Sequence, residues 1–127
     1  MRFLLPLILA LPLAAQSQQA PPQPKTTGVM VMLTVKPGVA REQVMKVMPE
    51  EVRATVRLYL DGRISQWFSR GDGRGVIFIL SAKDVAEAKA AMETLPLAKE
   101  NLMDYEYTPL APLAPLNYLL GGAPPKQ

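Results

Sequence analysis

Ile64-Ser65-Gln66-Trp67-Phe68-Ser69-Arg70-Gly71-Asp72-Gly73-Arg74-Gly75-Val76-Ile77-Phe78-Ile79-Leu80 holds two apolar runs on either side of a Gly-Asp-Gly turn. Asp-Gly between alternating runs is a strong local hairpin signal, because glycine adopts the positive φ that tight hairpin turns require. The spacing predicts strands over residues 64–70 and 74–80. In the second strand Val76, Phe78 and Leu80 share one side, and Ile77 and Ile79 share the other. With both sides apolar, both need cover.

Upstream, residues 28–36 are rich in Val, Met and Leu and end at the Pro37-Gly38 turn signal. They read as a first strand, with Val29, Val31, Leu33 and Val35 on one face and Met30, Met32 and Thr34 on the other. Residues 39–60 have helical period. Val44, Val47 and Met48 form one apolar stripe, and Val52, Val56, Tyr59 and Leu60 form the next. The residue before a proline avoids helical angles, so a break or kink is expected at Met48, with Pro49 opening a second helical segment. Glu50 and Glu51 would then sit in a first turn, where the helix dipole favours negative charge. Asp61-Gly62 ends the helix.

Downstream, residues 81–95 read as another helix, with a capping box from Ser81 and Asp84 and a buried stripe of Val85, Ala88, Met92 and Leu95. Pro96 stops it, and residues 102–108 form a last strand. The order β-α-β-β-α-β with right-handed crossovers predicts an α+β, ferredoxin-like fold: a four-stranded antiparallel sheet with two helices on one face. The uncovered sheet face is apolar and calls for a partner. Two such sheets face to face would make a dimeric α/β barrel.

Only Pro37, Pro49 and Pro96 of the 13 prolines fall between Lys25 and Thr108. Residues 28–110 are therefore the expected domain, residues 18–27 a Pro/Gln-rich linker and residues 111–127 a Pro/Leu-rich tail. In the tail, Pro109-Leu110, Pro112-Leu113 and Pro115-Leu116 repeat at the period of a polyproline helix, so residues 110–120 are expected to lie along the domain or a partner. Residues 1–17 read as a signal peptide: Met1-Arg2, a charge-free run from Phe3 to Leu13, then small residues at Ala15 and Ser17. That run is shorter than the roughly 20 residues a membrane span needs. The expectation is an exported protein, periplasmic or secreted. Lipoprotein anchoring is excluded because the chain has no cysteine.

The chain has no histidine either. The commonest general base, the commonest metal ligand and the thiolate nucleophile are all missing, so no metal and no cofactor are expected. A net charge of +3, from scattered basic residues, gives no case for nucleic acid. Chemistry must come from carboxylates, Tyr, Lys, Arg, Ser or the backbone. Glu106, then Asp104, are the candidate bases if their side of the last strand meets a pocket; otherwise they are solvent-facing, with Met103, Tyr105 and Tyr107 inside. Arg57 and Arg53, one turn apart, fit a substrate carboxylate, or else a solvated face paired with Glu50. Trp67 with Tyr59 fits an aromatic pocket wall, or plain core or dimer contact. Of the seven methionines, Met30, Met32, Met45, Met48 and Met92 fit buried stripes and are expected in the core. Arg70-Gly71-Asp72 spells an adhesion tripeptide, but its place at the hairpin tip is explained by the turn.

Leu60 to Arg70, Val76 to Leu80, the helix closing on Leu95-Pro96-Leu97, and Met103-Asp104-Tyr105-Glu106 together resemble muconolactone Δ-isomerase. The resemblance runs over residues 28–110 and is strongest from Asp61 onward. It implies a ferredoxin-like dimeric barrel able to build larger rings, no cofactor, and a double-bond shift in an unsaturated lactone bearing a carboxylate. The family is cytoplasmic and carries histidine in the strand where this chain has Gln66. Two readings follow. One is a cofactor-free isomerase or proton-transfer enzyme acting on a small unsaturated or aromatic carboxylic acid. The other is a non-catalytic exported dimer that binds a small molecule or a protein.

Overall fold

The computed structural model describes residues 25–113, and the expected signal peptide, most of the linker and most of the tail lie outside them. The elements are β1 (Gly28–Val35), α1 (Arg41–Leu60), β2 (Ile64–Ser69), β3 (Gly75–Leu80), α2 (Val85–Met92), α3 (Pro96–Lys99) and β4 (Met103–Leu110). The sheet order is β2-β3-β1-β4, every neighbour antiparallel. This is the ferredoxin-like α+β arrangement, with one extra short helix before the last strand.

The register sorts the two faces. Val31 pairs with Phe78 and Tyr107, and Leu33 with Val76 and Tyr105, so these side chains share the helix-covered face. Val29, Val31, Leu33, Ile64, Leu80, Met92 and Leu95 are the large, fully buried side chains there. Met30, Met32, Ile77, Ile79 and Phe68 share the other face, which no described element of the chain covers. Asp104 and Glu106 stand on that same open face, opposite Thr34 and Met32.

The helix expected to break at Met48 is instead continuous through Pro49. Proline cannot donate to the carbonyl four residues back, that of Met45. Both residues are exposed, so water can satisfy the freed carbonyl. Continuity changes the phase of the helix. The buried side chains are Val44, Glu51, Thr55 and Leu58, a single stripe that never restarts at Pro49. Val52, Val56, Tyr59 and Leu60, expected to be buried, are exposed, Val52 at 50% and Leu60 at 76%. Met45 is exposed as well.

The expected capping box at Ser81 is also corrected. Asp84 is the N-cap of α2, its carboxylate accepting the Glu87 N–H at 2.7 Å, and Ser81 instead gives its amide to Arg63. The helix ends at Met92, because Leu95 takes the extended conformation that places Pro96 at the start of α3. At the hairpin tip, the Arg70 guanidinium pairs with Asp72 at 2.5 Å, and Asp72 accepts the Arg74 N–H at 3.0 Å. The Arg74 amide and the Arg70 guanidinium hold the Asp72 carboxyl below its ordinary range. Of the tail, Ala111 to Leu113 are described and exposed. No described helix is long and apolar enough to cross a membrane.

Candidate functional site

Between α1 and the end of the sheet where β2 leaves and β3 begins lies a cavity of about 590 Å³. Its wall is largely aliphatic and aromatic: Leu33, Val44, Met48, Trp67, Phe78 and Met103 are among the lining residues. Glu51, Thr55 and Ser69 are its polar lining residues besides Arg70, which borders it. The exposed Val52 and Val56 stand at its α1 edge.

Glu51 is 5% exposed. Its Oε2 accepts the Leu97 N–H at 2.9 Å, which ties α1 to the start of α3. The other oxygen takes no hydrogen bond from a described residue and is not sealed from solvent, so it is the one presented to the cavity. Burial in these apolar surroundings raises the carboxyl's pKa, and the Leu97 amide only partly offsets the rise. A weakly acidic carboxyl with one free oxygen in a largely apolar cleft is what general acid–base chemistry needs when histidine is absent.

Arg70 borders the same cavity, but its guanidinium turns to the open face of the sheet, where Thr34 stands; its side chain is 21% exposed. Nη1 donates to Thr34 Oγ1 at 3.0 Å and Nη2 to Asp72 at 2.5 Å. A guanidinium has five N–H donors, so three remain. Trp67 is on the wall, and Tyr59 lies parallel on one of its faces, 4.3 Å between centroids at 14°. On the sheet floor, Tyr105 and Tyr107 run parallel with centroids 6.3 Å apart. The Tyr105 hydroxyl is buried without a hydrogen-bond partner, which typically costs about 1–3 kcal/mol.

The residues singled out from sequence are spread out. Trp67 forms part of the cavity wall, and Tyr59 backs it. Arg53 and Arg57 are exposed on α1, with Arg53 paired to Glu50, and neither lines the cavity. Asp104 and Glu106 are exposed on the opposite side of the sheet. Glu51, Arg70 and Tyr105 were not singled out. The signal for Glu51 was present: it continues the Val44–Met48 row at helical spacing toward Thr55 and Leu58, a carboxylate on an apolar stripe. No group of three or more His, Cys, Asp or Glu among the described residues could hold a metal ion.

No family model matches the chain, and no curated protein matches it. Among solved structures, nine chains match. One is a muconolactone isomerase crystal structure, with a TM-score of 0.57 and 19% identity, covering 68% of this chain and 91% of that one. The chain is thus similar in fold to muconolactone isomerase; at that identity the likeness speaks for the fold alone.

Proposed function

We propose, starting from the fold shared with muconolactone isomerase, that this chain is a cofactor-free isomerase or proton-transfer enzyme for a small unsaturated or aromatic carboxylic acid, with Glu51 as the base. The observation that carries the reading is the buried Glu51 carboxyl presenting one oxygen to an apolar cavity of about 590 Å³. Ionised Glu51 takes a proton from a carbon next to a carbonyl, and the electron pair moves into the conjugated system. The same carboxyl returns the proton at another carbon of that system, so the double bond shifts and nothing else is consumed. A raised pKa serves both halves, because the conjugate acid holds its proton long enough to return it. Trp67 meets the apolar body of the substrate. Glu106 and Asp104 are the competing bases. They would need a second chain to close over the open sheet face, which makes Glu106→Gln the natural control.

The setting we propose is an exported homodimer or larger ring, joined through the open faces of the sheets. A panel of unsaturated lactone acids, followed by absorbance, tests the reaction. Glu51→Gln is expected to lower turnover by roughly 10²–10⁴-fold, the usual contribution of a positioned base, while Glu106→Gln stays near wild type. If no lactone acid turns over, or Glu51→Gln is as fast as wild type, the enzyme reading fails. The aliphatic wall of the cavity favours one other reading, a non-catalytic carrier of small apolar acids, which would give saturable binding of the same panel with no turnover.

A further inference from the structure

The rim of the cavity continues into an uncovered apolar strip. Met45, Val52, Val56 and Tyr59 recur at helical spacing on α1, about a quarter-turn round from the buried stripe of Val44, Glu51, Thr55 and Leu58. All four are exposed, between 37% and 51%. Tyr59 stacks on Trp67 of β2, itself 38% exposed, with ring centroids 4.3 Å apart. Val52, Val56 and Trp67 join the strip to the cavity, which they line. Contiguous exposed apolar surface of this kind marks a docking place.

The chain carries a segment suited to it. Pro109-Leu110-Ala111-Pro112-Leu113-Ala114-Pro115-Leu116-Asn117-Tyr118-Leu119-Leu120 contains no charged residue. Proline at every third position favours a polyproline helix, which is stiff and already extended, so seating it costs little conformational entropy. Such helices dock in grooves lined by aromatic side chains, as the Tyr59–Trp67 pair lines this one. Where the segment is described it leaves the domain with an apolar side chain in water: Leu113 is 65% exposed.

The segment also has the reach. β4 ends at Leu110 opposite Gly28, at the end of the sheet where β2 begins, since Ile64 and Val29 both pair with Leu80. β4 and β2 are the two edges of the sheet, three strand spacings or about 14 Å apart. At about 3.1 Å per residue, residues 111–115 span that width and residues 116–120 run about 15 Å further. That is enough to pass Trp67, about 10 Å along β2 from Ile64. The open sheet face is a poorer seat, because the exposed Thr108, Glu106 and Asp104 stand along its β4 edge.

We propose that Leu116 to Leu120 dock on the Val52, Val56, Tyr59 and Trp67 strip of their own chain and form the outer wall of the cavity. The seat follows from the polarity and reach of the two parts, and does not depend on Glu51 being a base.

The chain has no cysteine, so Asn117→Cys takes a single nitroxide label outside the described domain. Paramagnetic broadening is read by NMR on the ¹⁵N-labelled full chain, before and after mixing under refolding with a large excess of chain carrying neither isotope nor nitroxide. The amide signals of Val52, Val56 and Trp67 are expected to be lost first, those of Ile77 and Ile79 on the open face and Ala90 on α2 last, with no change on dilution. Trp67 is the one tryptophan of the chain and gives a second reading. With Leu116→Ser and Leu119→Ser together, its emission should shift to longer wavelength and acrylamide should quench it more readily. Absence of broadening at the strip, or strongest broadening at Ile77 and Ile79, would overturn the proposal. So would broadening that fades on dilution, which makes the occupant another chain's tail, or unchanged Trp67 emission in the leucine variant. None of these readings uses a lactone acid, so they stand or fall apart from the enzyme reading.

Discussion

At Gly75 a Cβ would come within 1.8 Å of the Leu33 carbonyl oxygen on the neighbouring strand. The obstacle is backbone and cannot swing aside. Gly75→Ala must push β1 and β3 apart beside the cavity, and a loss of about 1–3 kcal/mol or more is expected, as for other overpacking changes. Gly73 differs: it has open space but a φ of 71°, so Gly73→Ala should cost only the left-handed penalty of about 1–2 kcal/mol. Urea denaturation checks the order, and equal losses would contradict it. Glu51 gives a prediction of a different kind. Its folded-state pKa lies above its ordinary value, so the stability it contributes is full at acid pH and is lost as pH rises through the folded pKa. Glu51→Gln removes that loss while its side-chain oxygen can still accept the Leu97 N–H. Thermal melts from pH 4 to 8 should show Glu51→Gln at least as stable as wild type at the neutral end, the advantage vanishing toward the acid end. A variant clearly less stable at neutral pH would contradict this account. Sequence reasoning passed over Glu51 because a glutamate after a proline is already explained by the helix dipole. Only an unbroken helix puts it on the buried stripe.

At the scale of elements, the hairpin was legible because its turn residues and its alternation agree. The sheet faces were legible for the same reason, since period-two burial leaves little choice of register. The run around Pro49 was not, because the residue before proline is only biased against helix and a solvent-facing site tolerates the missing bond. A proline inside a helix costs about 3 kcal/mol relative to alanine, less where water takes up the free carbonyl. Pro49→Ala should therefore raise the melting temperature without changing helix content by circular dichroism. A gain of helix would mean that α1 is broken at Pro49 in solution. The start of α2 makes a paired test. Asp84→Ala should lose about 0.5–2 kcal/mol, the worth of an N-cap, while Ser81→Ala should fall within about 0.5 kcal/mol of wild type, as surface changes do. The reverse order would restore the Ser81 capping box.

At the scale of the whole molecule, the described residues present two apolar surfaces. One is the cavity beneath α1; the other is the open sheet face with Met30, Met32, Ile77, Ile79 and Phe68. The open face was foreseeable, since both sides of the first and third strands are apolar in sequence. The cavity was not, because it depends on the phase of α1 against the sheet, a tertiary relation that no local pattern carries. We predict that the open face closes two chains into a homodimer, so that light scattering on protein lacking residues 1–17 gives twice its chain mass. Ile77→Lys, which places a charge on that face, should give a folded monomer. A wild-type protein that is monomeric and well folded at low micromolar concentration would contradict the prediction. The most direct test of the cavity as a place of proton transfer does not require the natural substrate. It is deuterium wash-in, read by proton NMR, from heavy water into the carbons next to the carbonyl of unsaturated lactone acids, with wild type, Glu51→Gln and Glu106→Gln side by side. The account predicts exchange with wild type and Glu106→Gln and almost none with Glu51→Gln. Exchange that survives Glu51→Gln and is lost in Glu106→Gln would contradict it and move the chemistry to the open face of the sheet.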